Sequence, residues 1–218
     1  MSAILEYTKW TGAKELIARL VPPGSRVLDI GCATGVLGAE LARRKNCLTF
    51  GIDVDESSAA IAARHYERVF VGDVQSLFEL PGEYLGSFDV LVFGDVLEHL
   101  PTPEGTLLHY LRYLKPRGIA IVSIPNVANW LNRLQLLLGR WNYRACGILD
   151  RTHLRFFTFS TARRLVEDSG LRIERVVCTS GLHPFDFTTG FTNPANLWKG
   201  LLAFQFIFVA RRTTGDRS

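Results

Sequence analysis

The sequence predicts a single α/β domain with a mostly parallel, doubly wound sheet and helices on both faces. Three observations predict it. Short apolar runs alternate with amphipathic or alanine-rich stretches along most of the 218 residues. Ser87-Phe-Asp-Val-Leu-Val-Phe93 is apolar at nearly every position, as a strand buried on both faces must be. Arg26–Ile30 and Leu48–Asp53 each lead through a turn into a helical stretch, the βαβ arrangement.

Taken in order, a helix is expected from about Ile4 to Leu20, ended by Pro22-Pro23-Gly24. Strand Arg26–Ile30 passes through a glycine turn into a helix reaching about Arg44. Strand Leu48–Asp53 follows, then an alanine-rich helix to about His65 and a short strand Arg68–Val71. After Ser87–Phe93, Thr102-Pro103-Glu104 reads as an N-cap with proline at the first helical position. That helix ends before a turn at Lys115-Pro-Arg-Gly118. Ile119–Ile124 is the fifth strand, stopped by Pro125, and a leucine-rich helix spans about Val127 to Leu138. An irregular stretch to Thr158, a helix from about Ser160 to Asp168 closed by Gly170, and strands Leu171–Cys178 and Phe204–Arg211 complete the chain. The loop between the last two strands is long, Gly-bearing and aromatic, and long loops are often functional. Residues 126–158 and 179–203 are the expected acceptor-side or lid segments.

Hydrophobic residues make up 47% and charged residues 21%, so a buried core is affordable and disorder is not expected. The net charge of +4 is scattered, and Arg43-Arg44-Lys45 reads as a solvated helix end, so nucleic acid is not an expected partner. Cys32, Cys47, Cys146 and Cys178 form no C-x-x-C pair and read as reduced. The apolar run Gly200–Ala210 is too short to span a bilayer and is interrupted by Gln205. A soluble cytoplasmic protein with a small-molecule acceptor and no membrane partner is expected, with a homodimer left open.

Val27-Leu-Asp-Ile-Gly-Cys-Ala-Thr-Gly35 carries the first chemical signal. Gly31 allows a tight turn close to a ligand, and Gly35 allows close packing of the next helix on the strand. The G-x-x-x-G spacing does not match the dinucleotide fingerprint. Asp29 before the turn would repel phosphates and suits a cofactor carrying an ammonium and a sulfonium. Asp53 ends the second strand, about 20 residues on, where a carboxylate accepts ribose hydroxyls. Gly72-Asp73-Val74 follows the third strand, and Asp73 can accept from an adenine amino group. Asp53 or Asp73 alone is as well explained as a turn residue. Together they stand at successive strand ends, where open α/β sheets bind ligands.

These residues, with Phe88-Asp89 and Lys115-Pro-Arg-Gly118, resemble the class I methyltransferases. The resemblance covers about Val21 to Asp168. It implies a Rossmann-like seven-stranded sheet with an antiparallel last strand, and S-adenosylmethionine as cofactor. It places Asp29, Gly31 and Gly35 around the methionine part, Asp53 at the ribose and Asp73 at the adenine, with Val74 and Gly94 as further cofactor-binding residues. Ala33 stands where the family usually has a further glycine.

A hydroxyl acceptor must lose a proton or have its oxygen polarised. Asp95, Glu98 and His99 stand at i, i+3 and i+4 after the fourth strand, on one side of a turn. His153, flanked by Arg151 and Arg155, follows the fifth strand and should open into the same cleft. Three readings stay open. Glu98 and His99 are structural; or Asp95, Glu98, His99 and His153 bind a divalent metal ion; or His153 is a metal-free base. Glu98-His99 resembles the ubiquinone-biosynthesis O-methyltransferases and, with Pro125-Asn126 and His153, the small-RNA ribose methyltransferases, families associated with such a metal. Asp95 stands where they carry glutamate. Ser123-Ile-Pro-Asn126 through Gly139 resembles the W-type proteins of methionine biosynthesis, which share the fold and assist an acyltransferase. That makes a non-catalytic partner the alternative to O-methylation of a small hydroxylated metabolite or sugar, while the Asp150–Thr158 stretch resembles stand-alone methyltransferases. The leucine-rich helix is expected to be a core or lid helix.

Overall fold

The computed structural model describes residues 12–179 and 200–213. The elements are α1 (Gly12–Leu20), β1 (Arg26–Ile30), α2 (Val36–Lys45), β2 (Leu48–Asp53), α3 (Glu56–Ala62), β3 (Arg68–Val71), β4 (Phe88–Gly94), α4 (Pro103–Leu111), β5 (Leu114–Pro125), α5 (Trp130–Leu137), α6 (Phe159–Asp168), β6 (Leu171–Thr179) and β7 (Gln205–Arg212). Single 3₁₀ turns occur at Gly82–Tyr84 and Leu97–His99. The strands form one sheet in the order β3-β2-β1-β4-β5-β7-β6. Pairs from β3 through β5 are parallel, and β7 runs antiparallel to both β5 and β6.

Alternation along the central strands sends side chains to two cores. Leu91, Phe93, Val122, Phe206 and Phe208 pack with α4 and α6 through Leu107, Tyr110, Leu165 and Val166. Val90, Val92, Ile121, Ile207 and Val209 pack with α1 and α2 through Ile17, Leu37 and Leu41. Burial on both faces explains why these strands read as continuous apolar runs. The chain crosses from β1 to β2 on one side and to β4 on the other, so a crevice opens beyond Ile30 and Gly94.

Several boundaries differ from the sequence reading. Residues 4–11 of the expected first helix and most of the β6–β7 loop lie outside the described residues. The Lys115–Gly118 segment is not a turn before the strand but part of β5. It bulges, because Phe88 pairs with Leu114 while Val90 pairs with Ile119. The Lys115 ammonium there meets Asp89 Oδ1 at 2.7 Å. The Thr102 hydroxyl makes no cap bond, whereas Thr158 and Thr161 form a reciprocal capping box for α6. The helix α5 starts at Trp130 rather than Val127, because the Asn129 side chain accepts from Leu131 N–H and caps it. It is also not a core helix: Asn132 is its buried residue, and its leucines face outward.

Tyr66, after α3, wedges under the glycine turn. A Cβ at Gly38 would lie 2.2 Å from its ring, at Gly35 2.8 Å and at Gly51 3.1 Å. The Tyr66 hydroxyl donates to Asp29 Oδ2 at 2.7 Å and accepts from Gly38 N–H at 3.0 Å. Gly35 therefore serves the approach of α2 to α3 and Tyr66, not the packing of α2 on its own strand. Gly38→Ala is expected to destabilise the fold by about 1–3 kcal/mol through overpacking. Gly105→Ala, in α4 with nothing within 4 Å of the new methyl, should stabilise by up to about 1 kcal/mol. Urea denaturation of the two variants reads the opposite signs; two equal shifts would remove the steric argument.

Candidate active site

The three predicted cofactor acids end adjacent strands or follow them directly. The Gly31 turn has a left-handed φ of 72°, and a Cβ there would sit 2.4 Å from the Val96 side chain. Its backbone is held from β2, with Gly31 N–H and Cys32 N–H both donating to Ile52 O. Ala33 takes φ 47°, a left-handed conformation that favours glycine, so the alanine substitution is not free of cost. Ala33 N–H donates to Asp53 Oδ2 at 2.7 Å and Asp55 N–H to Asp53 Oδ1 at 3.0 Å. Each oxygen keeps a lone pair for a further donor. Asp73 Oδ1 accepts from Gln75 N–H at 2.8 Å. Val74 packs against the edge of the larger core. At Gly94 a Cβ would meet ordinary contacts, the nearest Ile17 Cδ1 at 3.7 Å, so the chain itself leaves room there. Acceptors at Asp53 and Asp73, a glycine turn and the open space at Gly94 together fit an adenosyl cofactor with a cationic sulfonium.

Asp29 is placed differently from its neighbours. It is buried and its Oδ2 is taken by Tyr66. Burial pushes its carboxyl up to about 6, against the lowering effect of the tyrosine hydroxyl. Sequence reasoning missed Tyr66, which braces Asp29 and the helix after the glycine turn; an aromatic at a helix end carries no signal of whom it reaches.

On the acceptor side, the structure brings Glu98, His99 and His153 together. One ligand atom from each lies within 4.8 Å of the others. His153 Nε2 lies 3.9 Å from Glu98 Oε1, and the two imidazole rings are 4.7 Å apart, edge to face. Asp95 is not among the converging groups. It adopts φ 60°, and its Oδ1 accepts from Ser123 Oγ at 3.0 Å and from Gln205 Nε2. The intervening residues form a 3₁₀ turn, so the i, i+3, i+4 helical spacing that grouped Asp95 with Glu98 and His99 does not hold.

The loop carrying His153 is tied to the turn by backbone. Leu154 N–H and Arg155 N–H both donate to Glu98 O, at 2.8 and 3.0 Å. His153 Nδ1 donates to Ile148 O at 3.0 Å, because a carbonyl only accepts, and so Nε2 keeps its lone pair. The Thr152 hydroxyl donates to Asp150 Oδ1 at 2.7 Å and accepts from His99 Nδ1 at 3.1 Å, which leaves the His99 Nε2 lone pair open as well. Burial lowers the His153 pKa, so the ring is neutral at physiological pH. Asp150 and Thr152, which orient His99, were quoted in the sequence but given no role.

Glu98 is 1% exposed, and neither carboxylate oxygen has a hydrogen-bond partner among the described residues. Burial drives its pKa well above the ordinary glutamate value. An unpaired buried carboxylate is costly unless something cationic or a proton joins it. Two imidazole lone pairs and one carboxylate fit a divalent transition-metal ion. By contrast, the cleft of about 360 Å³ at the amino ends of the strands, lined by Lys115, Arg117 and Arg211, holds none of the predicted site residues.

Asp29 gives a signed expectation. Its folded pKa exceeds its unfolded value, so its favourable contribution holds at low pH and is lost as pH rises from about 4 to about 6. Wild type should therefore lose up to about 3 kcal/mol relative to Asp29→Asn across that window. Urea denaturation at both ends measures it, and parallel pH profiles would contradict it.

The chain is similar to known proteins over most of its length. The methyltransferase-domain family matches residues 6–176. The ubiquinone biosynthesis O-methyltransferase of Psychrobacter arcticus is 31% identical over 168 residues, 73% of this chain and 63% of that protein. The enzyme of the same name from Xanthomonas axonopodis pv. citri is 37% identical over 112 residues, 50% of this chain and 46% of that protein. The chain thus spans about half to under two thirds of the length of these relatives. Among solved structures, a SAM-dependent methyltransferase from Archaeoglobus fulgidus superposes with a TM-score of 0.64 at 19% identity, covering 96% of this chain and 99% of that one. A TehB-like SAM-dependent methyltransferase from Corynebacterium glutamicum gives 0.61 at 20% identity, covering 94% and 89%. These two share the fold. None of these relatives supports the W-type partner reading. With most of its length matched and its sheet, glycine turn and strand-end acids in place, the chain belongs to the methyltransferase-domain family.

Proposed function

We propose that the protein transfers the methyl group of S-adenosylmethionine to an oxygen of a small hydroxylated metabolite or sugar. The convergence of Glu98, His99 and His153 beyond β4, at the same end of the parallel strands as Asp53 and Asp73, carries this reading. When bound, the cofactor supplies an electrophilic methyl on a sulfonium. Asp53 accepts the ribose hydroxyls and Asp73 the adenine amino group, fixing the methyl relative to the sheet. The cofactor would supply this methyl to an acceptor oxygen held in line with the carbon–sulfur bond, the sulfur keeping the electron pair of that bond. Holding the two in line supplies much of the rate. The hydroxyl proton leaves to the His153 Nε2 lone pair, which Ile148 O keeps in the accepting tautomer. Where a divalent ion is present, Glu98, His99 and His153 would hold it, and it would polarise the acceptor hydroxyl.

Asp53→Ala should weaken S-adenosylmethionine binding about tenfold or more, read by calorimetry, because it removes charge-assisted hydrogen bonds. Binding equal to wild type would take Asp53 out of the cofactor site. His153→Ala should lower kcat by about 10²–10⁴ while cofactor affinity stays within a few fold. Unchanged turnover on a panel of labelled hydroxyl acceptors would end its role. Loss of turnover on chelation, restored by added divalent ion, assigns the cluster to metal; turnover indifferent to chelator assigns His153 as a simple base.

A further inference from the structure

The other described helices turn apolar side chains into the cores: Ile17 from α1, Leu41 from α2, Ala59 from α3, Leu107 from α4 and Leu165 from α6. The helix α5 is inverted. Its buried residue is Asn132, whose side-chain amide donates to Val127 O. Trp130, Leu134 and Leu137, at i, i+4 and i+7, share the opposite face, and Leu137 is 82% exposed. Leu138, Trp141 and Tyr143 prolong this exposed apolar surface. Contiguous exposed apolar surface of this kind marks an interaction site.

The charge around the face identifies what it meets. Between residues 126 and 158 the chain has five arginines, Arg133, Arg140, Arg144, Arg151 and Arg155, and a single acid, the buried Asp150. All five arginines are exposed, and none forms an ion pair among the described residues. Two copies meeting face to face would set these like charges against each other. Leucines on an outward helix face, tryptophans at its margin and exposed arginines without acidic partners in the same segment, two of them bonded to the carbonyls of Ala128 and Pro101, are the composition of a helix lying in a bilayer interface. It is too short to cross, and no described helix is long and apolar enough to do so.

We infer that the outward face of α5, with Trp130, Leu134, Leu137 and the surrounding arginines, docks the protein on an anionic lipid surface. The inference departs from the sequence expectation of a protein without a membrane partner. Arginines draw the face to the headgroups at about fivefold in affinity each, and the leucines enter the boundary with the acyl chains. Ring contacts continue from this face to the cluster, Trp141 to Phe156 at 5.5 Å and Phe156 to His153 at 6.3 Å, so docking sets the acceptor side of the site next to the lipid.

The test is co-sedimentation of the full chain with vesicles of phosphatidylcholine alone and of phosphatidylcholine mixed with phosphatidylglycerol. It reads binding, not turnover, so it fails or succeeds independently of the proposed reaction. Wild type should pellet with the mixed vesicles, less with the neutral ones, and less at high salt. Leu134→Ser with Leu137→Ser should reduce partitioning by about tenfold or more. Arg140→Gln with Arg144→Gln should reduce it on mixed vesicles alone. These positions are exposed, and an unchanged urea midpoint verifies folding. Wild type remaining in the supernatant overturns the inference, as does binding that the leucine variant retains. A concentration-dependent dimer that the leucine variant abolishes, without vesicle binding, gives the face to a second copy and also overturns it.

Discussion

The hydrogen bond from Tyr66 to Asp29 holds the cofactor end of the fold together. A tyrosine ring fills the space that Gly35, Gly38 and Gly51 leave open, and its hydroxyl joins a carboxylate on β1 to an amide on α2. Three elements are thereby fixed against one side chain: the strand that carries the glycine turn, the helix that begins after it, and the neighbouring β2. Asp53 adds a second brace by accepting Ala33 N–H across the turn. The strain at Ala33 is tolerated because the surrounding bonds over-determine its conformation. A turn held this firmly presents its ligand groups without further ordering on binding.

The acceptor cluster follows another rule. Its three side chains come from two segments far apart in sequence, joined by main-chain bonds to Glu98 O and by side-chain bonds from His99 and Arg155. Glu98 contributes its carbonyl as the anchor for the loop and its carboxylate as the unsatisfied centre. Each histidine is oriented by a neighbour on its own loop or on the facing one, so both rings turn a lone pair to the same small volume. Partners outside the immediate cluster orient both rings, while the buried Glu98 carboxyl, without a hydrogen-bond partner among the described residues, favours its protonated form until a cation joins it.

Strand positions were legible because apolar runs buried on both faces leave a direct mark in sequence, whereas the strand order was not, and the antiparallel last strand followed only from the family resemblance. The strand-end acids were legible because their positions relative to the strands are fixed by the fold. Tyr66, Ser123 and Gln205 were not, since each acts through a contact that spans the sheet or the chain. The helical spacing of Asp95, Glu98 and His99 misled about Asp95, whose left-handed backbone turns its side chain toward Ser123. The leucines of α5 read as core material because composition records hydrophobicity and not which way a helix faces. Asn129 and Asn132 set that direction, one as a cap and one as an inward donor.

The antiparallel β7 is inserted between β5 and β6, so β6 has no ladder to the rest of the sheet except through a strand that follows it in the chain. During synthesis, β5 leaves the ribosome with an unpaired edge, and β6 follows with nowhere to register. The strand that joins them also delivers Phe206 and Phe208 to the larger core, so sealing that edge and filling the core become one late, long-range event. Until it occurs, the nascent chain offers an apolar strand edge of the kind that pairs with other chains, and quality control would act in that interval.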